Sequence, residues 1–453
     1  MTVTRRGLLG LLALSPWLPA CNPTTSPLTQ KMKGVPMQPI SPEEIEVLTN
    51  PLARPAWLAK HNLPQGQHLE ITGRVFGGER GLLRSKDLKD VRFVNCVFEM
   101  FQGYDNNLEN VHFIECQFLG GEFSGPRWKN VSLSRCEAEG PFKIGCADGD
   151  VSFENCTLRG MTAKEGGYGH WADHFGLATG GDGRVRFVRC QLENLVSFGE
   201  TETRLADCKI GDFRGSILSH RGTLVIENCQ CLSEQNKHDF GGSKGFSQIN
   251  IRNSKLGLVD LKATTAELIE VTGSSLSLET GTFKGHFGKA VFRDSHFFGK
   301  GLWCPLVPQI DSWVLENCTF SASDQRFQLF GEPNDQPPTL ERGPIYWTRI
   351  RELTLRNQKL TKANMAYLQV GTFTVDNSSL EDCDLSHGHF GTWRFVNARL
   401  AGSLDLSETT IQRIDNQGLI QNAKVTGKLE ASPDAPAPEL QPPAVPSKGN
   451  KKS

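Results

Sequence analysis

The residues with the most metal-like spacing are Gly169-His170-Trp171-Ala172-Asp173-His174. On a helix, His170 and His174 fall on one side with Asp173 beside them, a set that could hold a divalent cation. No further spaced pair of ligands and no HExxH glutamate accompanies them, so the expectation is a structural or surface histidine cluster without a metal. Gly241-Gly242-Ser243-Lys244-Gly245 matches the G-x-S-x-G nucleophile elbow as text. That elbow needs a strand-to-helix turn in an α/β sheet, and the flanking residues do not supply one. Asp148, Asp150 and Asp173 are the nearest approach to the paired carboxylates of a glycosidase, with nothing in their spacing that makes them converge. No glycine loop able to cradle phosphate precedes a helix. The expectation is a protein without catalytic residues, metal or cofactor, hence not an enzyme.

The elements that position these groups announce themselves by an unusual period. Leu355, Leu360, Met365, Val370, Val375, Leu380, Leu385, Phe390, Phe395 and Leu400 place an apolar residue at every fifth position, as do Leu108, Phe113, Phe118, Phe123, Trp128 and Leu133. Neither the 3.6 period of a helix nor the 2.0 period of a strand gives that spacing. A chain that turns a corner every fifth residue and closes after four faces does, which predicts a solenoid of 20-residue coils. A second register agrees. Cys96, Cys116, Cys136 and Cys156 are spaced by 20. The series continues unevenly through Cys190, Cys208, Cys229, Ser254, Ser274, Ser295, Cys318, Gln358, Ser378 and Ala398. The residue before the small one is often Asn or Asp, as at Asn95, Asn155, Asp207, Asn228, Asn253 and Asn377, types that tolerate turn conformations.

With these residues the chain resembles the pentapeptide-repeat proteins, whose motif is small, Asp or Asn, Leu or Phe, then two variable residues. Cys383-Asp384-Leu385 matches it outright; other copies keep the small and apolar positions only. The resemblance covers roughly residues 90 to 425 and implies a right-handed, four-sided parallel β-helix. The expected fold class is therefore all-β, with a solenoid over 91–430, insertions near 159–184 and 321–346, and a short N-terminal capping helix.

The ends read differently. Thr4-Arg5-Arg6-Gly7-Leu8-Leu9, an apolar run and Leu18-Pro19-Ala20-Cys21 have the layout of an export signal. The twin arginines resemble a Tat signal and the Leu-x-Ala-Cys end resembles a bacterial lipobox, implying lipidation of Cys21 and cleavage of residues 1–21. Asn22 in place of Asp after that cysteine favours, by analogy, an outer-membrane anchor facing the periplasm. Residues 22–40 are rich in Pro, Thr and Ser and read as a tether. Ser41-Pro42-Glu43-Glu44 is a helix start with a cap, Pro at the first helical position and Glu at the third, so 41–90 is expected to hold a helix that plugs the first coil. Residues 431–453, Pro-rich and ending in lysines, cannot bury a core and are expected to be disordered.

Charge narrows the partners. Forty-nine basic against fifty acidic residues leave neither a basic stripe for nucleic acid nor the strong acidity of a DNA mimic. Thirteen cysteines would suggest disulfides in an exported chain. Most of them hold the inward small position, where parallel side chains point the same way and disfavour the disulfide dihedral, so buried free thiols are expected.

The register breaks between Cys156 and Cys190, between Cys229 and Ser254, and between Cys318 and Gln358. The last break is wide enough for two coils, but Ser321 to Tyr346 lacks the rhythm and carries Pro333, Pro337, Pro338 and Pro344, so that stretch reads as a surface loop. Trp313 and Trp393 fall in core or corner register. Trp171, Trp303, Phe327, Phe330, Tyr346 and Trp347 fall off register and are, with His170 and His174, the candidate binding residues, local packing onto the coil being the alternative. The expected function is a non-catalytic, envelope-anchored scaffold acting through a protein partner. Lipid-anchored location and solenoid architecture resemble the immunity lipoproteins that neutralise toxins delivered by type VI secretion. A structural envelope protein without a discrete ligand and a carbohydrate-binding or carbohydrate-cleaving β-helix are the alternatives.

Overall fold

A computed structural model describes residues 38–63, 68–77, 87–102, 107–123, 127–144, 149–159, 175–177, 183–193, 195–196, 202–214, 222–239, 246–260, 266–278, 287–299, 309–322, 327–328 and 348–434. They build a parallel β-solenoid. One sheet runs from Leu69–Thr72 through Leu88–Val94, Asn107–Ile114 and Arg127–Ser134 to Thr410–Gln421. Every strand in it pairs in parallel with the corresponding strand of the next coil. A second, 17-stranded sheet is built from the segments that follow, such as Val97–Gln102, Gln117–Phe123 and Glu137–Ile144. Regular rungs lie twenty residues apart, as Phe93 beside Phe113, or twenty-one, as Phe390 beside Ile411.

The five-residue apolar register is the core. All ten residues from Leu355 to Leu400 in that register are at most 2% exposed, and Trp128, Trp313 and Trp393 are buried as well. Equivalent aromatics stack up the coil axis: Phe76 on Phe98 with ring centroids 4.6 Å apart, Phe98 on Phe118 at 4.9 Å, Phe93 on Phe113 at 5.1 Å. Each buried Phe contributes about 1.5–3 kcal/mol of transfer free energy, and stacking adds geometry that fixes the rung. The side chain of Phe123 lies outside the described residues.

The corners explain the residue before the small position. Asn95, Asn155, Asp207, Asn228, Asn253, Asp294, Asn317, Asn357, Asn377 and Asn397 all have φ between 47° and 55°, the left-handed region that Asn and Asp tolerate. Glu115, Arg135 and Arg189 adopt it too, at 54°, 53° and 53°. Each is tied to the neighbouring rung: Arg135 Nε donates to Glu115 Oε1 (2.8 Å), and Arg189 Nε to Asn155 Oδ1 (3.0 Å).

Four boundaries differ from the sequence expectation. Gln38–Pro39 is a strand paired with Arg74–Val75, so the last residues of the expected tether belong to the fold. The first coil begins at Leu69, inside the expected cap, because Leu69 and Ile71 already supply inward residues to the core. The capping helix fills only a small part of the 41–90 cap. It spans Pro42–Thr49 with a complete capping box between Ser41 and Glu44; Asn50-Pro51 ends it, and a second helix, Arg54–Lys60, follows. Val47 and Leu48 of the first helix enter the core at the open end of the first coil. The expected loop from Ser321 also starts too early. Ser321 and Ala322 complete a strand beside Phe298 and Gly299, and Phe327–Gln328 pairs in parallel with Ala363–Asn364. The strand Gln309–Glu316 pairs directly with Thr348–Arg356, so the 40-residue gap is one coil with an excursion and not two coils.

Candidate functional site

Within each coil the passage from the first sheet to the second is constant. Val94 to Val97, Ile114 to Gln117, Val188 to Gln191 and Glu316 to Thr319 each leave two residues, the left-handed corner and the inward small residue. The return passage varies. Phe123 is followed by the next strand at Arg127, Glu122 and Phe123 having paired along the second sheet, whereas Gly299 is followed by it at Gln309. The chain after Ala322 takes this same passage by way of Phe327–Gln328, whereas after Arg159 it first rejoins the second sheet at Phe175–Leu177, so that excursion interrupts the sheet itself. Leu232 to Asn236 interrupt the second sheet at the same place, between Gln230–Cys231 and Lys237–Asp239. Their backbone passes so close to Gly257 that a Cβ there would stand 2.4 Å from the carbonyl oxygen of Asn236. Length variation thus falls in two places, the return passage and the break within the second sheet.

The inward small column is committed to structure. Cys116 Sγ donates to the carbonyls of Phe93 and Ile114 (3.5 and 3.4 Å), and Cys136 and Cys156 repeat this one rung and two rungs on. The described cysteines are free thiols and, apart from Cys231, all buried. Burial pushes the Cys318 and Cys383 thiols up to about 11, which removes them from nucleophilic chemistry at neutral pH. The outer faces are likewise engaged. Arg184 pairs with Asp150 (2.8 Å), Arg252 with Glu270 (3.2 Å), Arg356 with Asp376 (3.0 Å) and Arg394 with Asp415 (3.1 Å). These pairs are exposed, so each contributes about 0–1 kcal/mol, but together they alternate charge along the faces. Asp150, one of the three carboxylates weighed for hydrolysis, is thereby held in a rung-to-rung ion pair.

A denser polar patch lies on the later coils. Tyr367, His387 and Glu408 occupy successive left-handed corners (φ 57°, 55° and 55°). The Tyr367 and His387 rings stack at 4.6 Å and 2°, and His387 Nδ1 lies 3.0 Å from Glu408 Oε2. Two residues on, Arg349, Gln369, His389 and Thr410 form a row across four rungs. His389 Nδ1 and Thr410 Oγ1 are 2.6 Å apart. Partial burial, and next the His387 charge, hold His389 below the usual imidazole range; burial, then Glu408 and Asp384, raise the Tyr367 phenol. Arg349 is only 8% exposed although Thr348 and Ile350 on either side are the inward residues. Sequence reasoning missed this patch. The signal available was two histidines, His387 and His389, at the corner and face positions of one repeat.

Of the sequence-based candidates, only Phe327 falls in described backbone, in the strand beside Ala363. His170, Trp171, His174, Phe330, Tyr346, Trp347 and the lipidation candidate Cys21 lie outside the described residues, as do Trp303, Asp148 and Asp173. Among the described residues no helix is long and apolar enough to cross a membrane, and no group of three His, Cys, Asp or Glu side chains could hold a metal ion.

No protein-family model, curated protein or solved structure matches the chain.

Proposed function

We propose that this protein is a non-catalytic, envelope-anchored binding scaffold of the pentapeptide-repeat type that acts through a protein partner. The observation that carries the reading is that the first corner keeps its length from coil to coil while the later passages of the coil vary. A solenoid whose first corner keeps its length while its later passages vary separates a rigid support from variable recognition segments. Recognition then falls to the candidates of those segments, Trp171, Phe330, Tyr346 and Trp347, together with His170 and His174. Export and lipidation at Cys21 place such a scaffold at the periplasmic side of the envelope, where neutralising a delivered toxin is one task that needs no catalysis. The resemblance supplies the right-handed, four-sided coil.

Two variants test it. Removal of 329–346, bridged by a short Gly/Ser linker, should leave thermal stability within a few degrees of the parent while abolishing capture of the envelope or toxin partner. Cys21→Ser should move the folded protein from the membrane fraction to the soluble one. Retained capture by the deletion, with loss on charge reversal along the Arg252–Glu270 face, would move the site to the coil body. Failure of every form to capture a protein would favour a purely structural envelope role.

A carbohydrate-binding reading rests on a different feature. An open polar groove lined by Asn228, Gln230, Asn253, Lys255 and His296 runs along one corner column. A glycan array that stays blank for the intact chain removes that reading.

A further inference from the structure

The row Arg349, Gln369, His389 and Thr410 carries two buried groups without partners. Arg349 Nε has no hydrogen-bond partner, and the side chain is 8% exposed. Among the described residues no carboxylate is in ion-pair reach of it; Gln309 is opposite it on the neighbouring rung, and Asp311, two residues further on, pairs with Arg351 at 3.1 Å. One rung up, Gln369 Oε1 is also buried and unpartnered. A guanidinium cannot escape by losing its proton, so holding it out of water without a counter-charge is strongly unfavourable. A neutral amide left unpaired beside it adds to the penalty.

We propose that Arg349 and Gln369 form a binding site for a carboxylate group. The forked guanidinium matches a carboxylate edge, while the Gln369 amide, turned either way, donates to the anion or accepts from a hydroxyl or amino group next to it. One formal positive charge flanked by a neutral amide suits a singly charged carboxylate better than a doubly charged phosphate. His389, with Nδ1 engaged by Thr410, borders the site on the next rung. On the reading of the protein as a binding scaffold, the carboxylate is that of an acidic side chain or chain terminus of the partner; a free small carboxylate is the other source.

The test is melting temperature of the full chain and of Arg349→Met and Arg349→Lys, titrated with sodium acetate, sodium phosphate or sodium chloride at matched ionic strength, and with a triglutamate peptide. Acetate should raise the wild-type melting temperature saturably, with affinity at least about tenfold weaker in Arg349→Met and partly retained in Arg349→Lys. A peptide binding more tightly than acetate identifies a protein source; equal or weaker binding identifies a small metabolite. Equal shifts in all three salts, or unchanged acetate affinity in Arg349→Met, overturn the site, and a preference for phosphate overturns the carboxylate assignment. Should Arg349→Met not fold, line broadening of ¹³C-acetate by the unaltered protein replaces it, and absence of saturable broadening overturns the site. Partner capture with no acetate binding would sink this inference alone and leave the scaffold reading standing.

Discussion

The backbone N–H of Cys229 donates to Ser254 Oγ across 3.0 Å, from one rung to the next. The same donor position repeats up the column: Cys190 N–H meets Cys208 Sγ at 3.4 Å, and Cys318 N–H meets Gln358 Oε1 at 2.9 Å. Where Cys, Ser or Gln holds it, the inward small position is therefore an acceptor position as well as a steric one. It satisfies a corner amide that no sheet ladder reaches, and this is why Cys, Ser and even Gln share it while larger apolar residues do not.

Replacing Ser254 with Ala should orphan the Cys229 amide and cost about 1–3 kcal/mol, because the donor stays buried without an acceptor. Ser254→Cys restores an acceptor of the kind used elsewhere in the column and should cost less than about 1 kcal/mol. Urea midpoints at unchanged m-value read the difference. Equal midpoints for the two variants would show that the column is only steric.

The thiol column predicts a reactivity pattern. In a protein with Cys21, Cys146 and Cys304 changed to Ser, Cys231 should react with Ellman's reagent under native conditions. The buried described thiols should lag by about a thousandfold, as where opening costs ~4 kcal/mol. Several thiols reacting together without denaturant would mean that the coil breathes far more than its packing allows.

His238 introduces a pH dependence. It is 1% exposed between Phe213 and Val259 of the neighbouring rungs, with Nε2 unpartnered, and burial depresses it to about 4 against a modest opposing effect of Asp212. The folded state thus binds fewer protons than the unfolded one between pH 6.5 and 4. Stability from this group is complete above pH 6.5 and is lost as pH falls toward 4, by about 3 kcal/mol in all. His238→Leu should abolish that part of the acid sensitivity. Parallel stability–pH curves for the two proteins would contradict the assignment.

Gly402 has φ 66°, and a Cβ there would stand 2.3 Å from Asp382 Oδ1, the oxygen that accepts from Ser403 N–H at 2.8 Å. Gly402→Ala should destabilise by about 2 kcal/mol through left-handed strain and displacement of that carboxylate. Adding Asp382→Ala removes the clash, so the double variant should lose less than the sum of the two single changes. Strict additivity in thermal or urea unfolding would rule out the clash.

Much of the coil was legible because the corner repeats. Left-handed residues recur at intervals of five, or of ten where a strand runs straight on, and keep the apolar side chains inward, so Leu355 to Leu400 could be assigned to the core from spacing alone, and all ten are buried. Asn and Asp marked most corners. Glu115, Arg135 and Arg189 escaped notice because their left-handed backbone is supported by side chains of other rungs, a relation that no local propensity carries.

The sequence by itself determined the period, the inward column and hence the class of fold, since these depend on residues close along the chain. Which rung stacks on which after an interruption was decided only in three dimensions. Cys318 meets Gln358, forty residues on, because parallel pairing selects the next complete coil. The same stacking brings Tyr367 onto His387 and sets Arg349 beside Gln369 without a counter-charge. Burial of an outward arginine depends on what surrounds it in space, and a period of five reports only which side of the coil it occupies.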